Sequence, residues 1–267
     1  MRLHLSALYV YPLKSCAALA LTSAQVEHRG LAGDRRWLVV DAKGMFVTGR
    51  LFARMPLIRA TPLGQGLRLE APGMPALEVA APAAGAVRRS VTIWRSSVEA
   101  PVADAAAGDW LSRYLGAELS LVHMDDAAHR SVNPEYGQPG DEVSFADGYP
   151  QLLISAAALD ALNARLDTPV DMLNFRPNLV VAGTTPHAED DWKRIRIGTV
   201  DFDIVKPCTR CIFTTVDPQR GERSTDGEPL KTLTTYRRTP KGVTFGQNLI
   251  PRGSGTVAVG DAVEVLS

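Results

Sequence analysis

The chain has 267 residues, enough for one large domain or two modest ones, with about 70–75 % of its surface expected to be buried on folding. Hydrophobic residues make up 45 % and charged residues 22 %, a globular composition that excludes a disordered chain. Twenty-nine Lys and Arg balance 29 Asp and Glu, which argues against affinity built on broad contact with nucleic-acid phosphates or anionic lipid.

No membrane or nucleic-acid partner is therefore expected. A single Arg precedes the first short apolar stretch, which soon meets Pro12 and Lys14, so no secretory leader is read. No run approaches the roughly 18 apolar residues of a membrane span. Three cysteines, Cys16, Cys208 and Cys211, are too few for a disulfide framework, and a reducing cytoplasm is the expected location.

In chain order, Leu3 to Tyr11 alternates loosely and Arg36 to Asp41 is a compact β-branched run ending in the turn Asp41 to Gly44; both read as strands. Short strands are expected at Phe46–Thr48, Ile58–Thr61, Leu67–Glu70, Ala76–Val79 and Ser90–Trp94, each bounded by turn residues. Ala71 to Gly108 is dense in Ala, Pro and Gly and reads as loop. The spacing predicts a helix over Ala103–Leu115, stopped by Gly116, then a strand over Glu118–His123. His129 to Asp141 is polar and broken by Pro and Gly, a loop long enough to suggest a functional role. Leu152–Ile154 reads as a buried strand, and Ser155 as the cap of a helix presenting Ala158, Leu159, Leu162 and Leu166. Strands are expected at Leu179–Ala182, Val200–Val205, Ile212–Val216 and Thr256–Val265, with a short helix opening at Pro229. The fold class is mainly β (α+β).

The densest chemistry lies at Lys206-Pro-Cys208-Thr-Arg210-Cys211. A structural zinc site wants four ligands, yet there is no second C-x-x-C and no H-x₃₋₅-H pair. A thioredoxin-like dithiol wants its first Cys at a helix N-terminus, whereas Ile212–Val216 reads as a strand. A third reading makes one thiolate a soft ligand to a thiophilic metal, with Lys206 and Arg210 favouring the thiolate and neutralising an anionic ligand. The fourth is two buried small apolar residues. Asn174-Phe-Arg176-Pro-Asn178 can supply fixed donors to a phosphate or a heterocycle edge, or can be a structural corner. Dinucleotide, Walker, G-x-S-x-G and H-E-x-x-H signatures are missing.

Together and in this order, Tyr11-Pro-Leu-Lys-Ser15, Gly33-Asp-Arg-Arg-Trp37, Asn174-Phe-Arg-Pro-Asn178, Ala188-Glu-Asp-Asp-Trp192, Pro207 to Pro218, Glu228 to Leu233, Phe245-Gly-Gln-Asn248 and Val259-Gly-Asp261 resemble the MOSC family. Nearly the whole chain is covered, and the pattern is most similar to the amidoxime-reducing branch of that family. The resemblance implies an N-terminal MOSC β-barrel-like domain over residues 1–118 and a MOSC β-barrel core with a few helices over 119–267. It implies a molybdenum cofactor (Mo-molybdopterin) held between them, with Cys211 as the metal ligand and Cys208 as a neighbour. Lys14, Ser15, Arg35, Arg176, Thr209 and Arg210 match cofactor-contact positions. Asp147, Gly148 and Tyr149 fall where the family has an Asp and two small polar residues; Gly148 and Tyr149 depart from that, leaving backbone N–H groups as the contacts there.

The activity implied is reduction of small N-hydroxylated compounds such as amidoximes, hydroxylamines and N-hydroxylated bases by oxo transfer at Mo. Asp147 is expected to transfer the proton, through a carboxyl pKa raised by the pocket, or else to be a turn residue. No four-Cys iron–sulfur site follows the MOSC region, so a separate electron-donor protein, a ferredoxin or flavin reductase, is expected. Two alternatives stand beside this: a sulfurtransferase carrying a persulfide on Cys208 or Cys211, and a non-catalytic carrier of the cofactor.

Overall fold

A computed structural model describes residues 2–267. Its spine is one large sheet in the order Leu19–Leu21, His4–Val10, Leu179–Ala182, Gln151–Ser155, Gly242–Pro251, Val200–Thr209, Arg194–Ile197 and Val263–Val265, with Arg238–Thr239 paired at the side. Gln151–Ser155 and Leu179–Ala182 run parallel, and the crossover that this demands carries the helix Ala156–Asn163, capped as expected by Ser155 at 3.2 Å from the Ala158 N–H. All five residues of Gln151–Ser155 are buried, because both faces of the sheet are covered. Leu153 faces a core with Leu5, Leu179, Phe202 and Leu249, while Leu152 and Ile154 face the opposite one with Leu162, Phe175 and Phe245.

The expected barrel is not closed: the path of paired strands has two ends. The sheet nevertheless curls until its Val263–Val265 end approaches the start of His4–Val10, the strand next to the other end, with Leu5 N–H donating to Asp261 O at 2.9 Å and Val263 N–H to Leu3 O at 3.1 Å.

A third core lies beneath the helix Ala105–Leu115, whose Trp110, Leu111 and Tyr114 pack with Leu67, Leu69 and Val79 of the three-stranded sheet Arg59–Leu63, Gly66–Glu70 and Leu77–Val79. That helix starts at an Asp104 cap and ends at Gly116 in the left-handed region. Strand pairing crosses the 118/119 boundary three times: His4–Val10 lies in the large sheet, Ser23–Glu27 pairs antiparallel with Gly255–Ala258, and Trp37–Asp41 pairs antiparallel with Leu119–His123. No helix among the described residues is long and apolar enough to cross a membrane.

Several expectations need correction. Ile212–Val216 is not a strand: Ile212–Thr215 is a turn of 3₁₀ helix, and only Val216–Asp217 is extended. The cause is local, since Thr214 Oγ1 donates to Cys211 O at 2.9 Å and Thr215 Oγ1 to Ile212 O at 2.8 Å, which outcompetes the β preference of the residues. Phe46–Thr48 makes only isolated bridges, and Leu166 lies beyond the helix that ends at Asn163. Within the Ala/Pro/Gly-rich region, Ser96–Pro101 forms a hairpin with Arg88–Ile93. Gly242–Pro251, a central strand, was hidden by its glycines, of which Gly246 sits at φ +79°.

Candidate active site

The turn after His4–Val10 brings Lys14 and Ser15 to the seam between the large sheet and the core beneath Ala105–Leu115. Lys14 is held by its N–H on Trp37 O at 3.0 Å. Its buried Nζ donates to Phe145 O at 2.8 Å and to Asp147 Oδ1 at 2.6 Å. Burial pushes this lysine down to about 8, with the Asp147 carboxylate opposing the shift.

Asp147 stands in an open cavity with 68 % of its side chain exposed, yet enclosed by the cavity walls. Those surroundings alone would raise its carboxyl. The charge and hydrogen bond of Lys14, the Trp94 indole N–H and the charge of Arg50 outweigh them and hold it well below the usual carboxylate range. The raised pKa expected for a proton donor is therefore contradicted: Asp147 is a carboxylate acceptor, and its ammonium neighbour carries the proton. Arg130, itself buried, fixes this wall by donating to the carbonyls of Ser144, Ala146 and Asp147.

Two arginines form the floor. Arg35 donates to Asp34 Oδ2 at 2.6 Å and Asn178 Oδ1 at 2.8 Å; Arg176 donates to Cys16 O at 2.7 Å. Both guanidinium groups lie over the buried Tyr11 ring, at 4.2 and 4.1 Å from its centroid. Burial pushes Arg176 down to about 10, yet it stays protonated at neutral pH. Ser15, Arg35 and Arg176 have φ of +66°, +47° and +57°. Backbone strain of this kind, about 1–3 kcal/mol per residue, persists where the surroundings enforce it and tends to collect at functional sites.

The third wall is the cysteine segment. Thr209 ends the strand Val200–Thr209, and Arg210 turns inward, donating from Nη1 to Cys208 Sγ at 3.0 Å and from Nη2 to Phe175 O at 2.6 Å. Cys211 is exposed, at the start of the 3₁₀ turn. Lys206, expected to act beside the thiols, instead lies over the Tyr136 ring at 4.8 Å. Cys16 is fully buried and its thiol is pushed up to about 12 by that burial, so it is inert packing.

The ten residues matched to catalytic and cofactor-contact positions, namely Cys211, Asp147, Lys14, Ser15, Arg35, Gly148, Tyr149, Arg176, Thr209 and Arg210, line one cavity of about 130 Å³, and Lys206 does not. Cys208, Asn174, Asn178 and Phe213, all within the motifs read from the sequence, line it too, as do Thr48 and Arg50, which carried no sequence signal. Gly49 had one readable only in space: a Cβ there would lie 2.1 Å from Phe213 Cε2. Tyr149 is half-buried, its ring edge-on to Tyr136 at 6.1 Å, and burial pushes its hydroxyl up to about 12.

The cavity's donor set fits a phosphate-bearing ligand with a soft metal. Arg176 Nη2 and Arg210 Nε are buried with no hydrogen-bond partner among the described residues, and an exposed thiol stands beside them. The class that this fold and site define is matched directly: the MOSC N-terminal beta barrel domain matches residues 2–118, and the MOSC domain residues 140–264. The chain belongs to the MOSC family.

Among its relatives, mitochondrial amidoxime-reducing component 1 of Homo sapiens is 34 % identical over 97 % of this chain and 82 % of its own length. The Danio rerio protein of that name is 35 % identical over 96 % of this chain and 82 % of its own. A molybdenum cofactor sulfurase of Oryza sativa subsp. japonica is 29 % identical over 91 % of this chain but 32 % of its own length.

Proposed function

We propose that this chain is a molybdenum-cofactor-dependent oxidoreductase that reduces small N-hydroxylated compounds, drawing electrons from a separate donor protein such as a ferredoxin or flavin reductase. The observation that carries this is the convergence of cations, strained backbone and the Cys211 thiol on one cavity, in a chain similar along its length to proteins named amidoxime-reducing components. When bound, the cofactor would supply a thiophilic metal able to accept an oxygen atom and pass on two electrons.

The chain's own residues do the rest. Arg35, Arg176 and Arg210 neutralise the anionic part of the cofactor, with the buried nitrogens of Arg176 and Arg210 as donors held in reserve. Cys211 offers the soft ligand from an exposed position. Reduction of R–NHOH to R–NH₂ and water takes two electrons and two protons. Lys14 Nζ, 2.6 Å from Asp147, holds a proton at neutral pH and gives it up near pH 8, so it is the proton-bearing member of the pair.

The test is turnover of benzamidoxime by cofactor-loaded protein with a chemical reductant. Benzamidine formation is the expected result. No turnover, with one added sulfur atom on the peptide holding Cys208 and Cys211, would favour the persulfide reading; no turnover with ready transfer of the pterin to an apo-enzyme would favour the carrier.

A further inference from the structure

Trp94 stands apart from the other three tryptophans: it is 50 % exposed, whereas Trp37, Trp110 and Trp192 are buried. It is the first residue of the two-residue connection between Arg88–Ile93 and Ser96–Pro101, with φ +55°. Tight hairpins give that slot to Gly, Asn or Asp, and a bulky side chain there is a real outlier. Burial does not repay the strain. The contacts of the indole point elsewhere: its N–H donates to Asp147 Oδ1 at 3.3 Å, and the Arg50 guanidinium lies over its ring at 4.4 Å. The Phe46 ring packs against it at 5.2 Å. The hairpin tip is thus pinned to the cavity wall, and strain maintained in this way is a pointer to function.

Asp147 itself is half used. Lys14 and Trp94 both donate to Oδ1, Oδ2 receives neither, and the side chain is 68 % exposed. A half-exposed indole, with Arg50 over its ring, and a carboxylate acceptor therefore stand together: Asp147 and Arg50 line the cavity that holds Cys211, and Trp94 adjoins it through both.

We propose that Trp94 and Asp147 form a substrate subsite, with the indole as stacking face and Asp147 Oδ2 as acceptor, selecting flat, conjugated N-hydroxylated compounds that carry an N–H group, such as amidoximes and hydroxyamino heterocycles. This rests on the reductase reading. A flat π-system gains from the indole, an N–H donor gains from the carboxylate, and a small non-planar hydroxylamine forgoes the stacking.

The test is Trp94→Gly, which gives the turn a residue suited to its backbone, so Tm is expected to hold or rise. In cofactor-loaded protein driven by reduced methyl viologen, the ratio of kcat/KM for benzamidoxime over N-methylhydroxylamine is expected to fall roughly ten-fold. Separately from turnover, benzamidine, flat and not reducible, is expected to quench wild-type tryptophan emission and leave that of the variant unchanged. An unchanged ratio, or no quench in the wild type, overturns the proposal. A loss equal for both substrates and seen only with a protein donor also overturns it, assigning Trp94 to donor docking. If the wild type reduces neither compound, the reductase reading fails, and the quench alone decides whether the subsite exists.

Discussion

Lys14 and Asp147 show how burial and charge divide the labour between two titratable groups 2.6 Å apart. The folded pKa of Lys14, about 8, lies below its ordinary 10.5, so the folded chain binds fewer protons than the unfolded one between those values. Its buried ammonium therefore opposes folding below about pH 8, and the opposition fades as pH rises toward 10.5. Asp147 works the other way: its stabilisation is present above the ordinary carboxylate pKa of 3.8 and is lost as pH falls. For binding, a nearby anion favours the lysine's charged form. Retention of an anionic cofactor during dialysis should thus weaken several-fold between pH 7 and 9 in the wild type and change little in Lys14→Met. Equal pH dependence in both would remove Lys14 from the anion site.

At the same scale, Cys211 occupies the cap position of the 3₁₀ turn without a side-chain cap bond, a place where serine is at home. Cys211→Ser should keep Tm within about 2 °C of the wild type yet lose molybdenum and activity together, with Cys208→Ser the milder change. Collapse of both variants on thermal melting would make the two thiols structural instead.

Among the elements, the 3₁₀ turn Ile212–Thr215 decides where Cys211 points, and two threonine hydroxyls hold it. Replacing both Thr214 and Thr215 by Val removes those bonds and should cost about 1–2 kcal/mol in urea unfolding, with reduced metal loading. Full metal loading in the double variant would show that the hydroxyls do not place the ligand. This turn was illegible in the sequence because Ile-Phe-Thr-Thr-Val scores as a strand, and only the side-chain bonds to the preceding turn reverse that. Ser155 and Gly116 were legible because caps are decided by one or two adjacent residues. Gly242–Pro251 was not, since a central strand carrying Gly246 draws its order from both neighbours, Gln151–Ser155 and Val200–Thr209, rather than from its own pattern.

In the whole molecule, the site is a junction of distant chain segments. Its ten legible residues lie in short motifs, each weak alone, that the large sheet gathers into one cavity. Thr48, Arg50 and Trp94 were not legible because they come from turns whose place beside the cavity depends on how the large sheet meets the core beneath Ala105–Leu115. Gly49 lies at that meeting, where an added Cβ would press on the Phe213 ring at 2.1 Å. Gly49→Ala should therefore cost about 1–3 kcal/mol, read as a lower Tm with weaker cofactor retention. An unchanged Tm would mean the two sides part without penalty.

The most direct test of the central claim is elemental analysis for molybdenum, with pterin fluorescence after oxidation, on the wild type and Cys211→Ser from a cofactor-competent host. About one molybdenum and one pterin per wild-type chain, with the metal lost in the variant, is the expected result. Zinc, or neither metal nor pterin, in the wild type would contradict it.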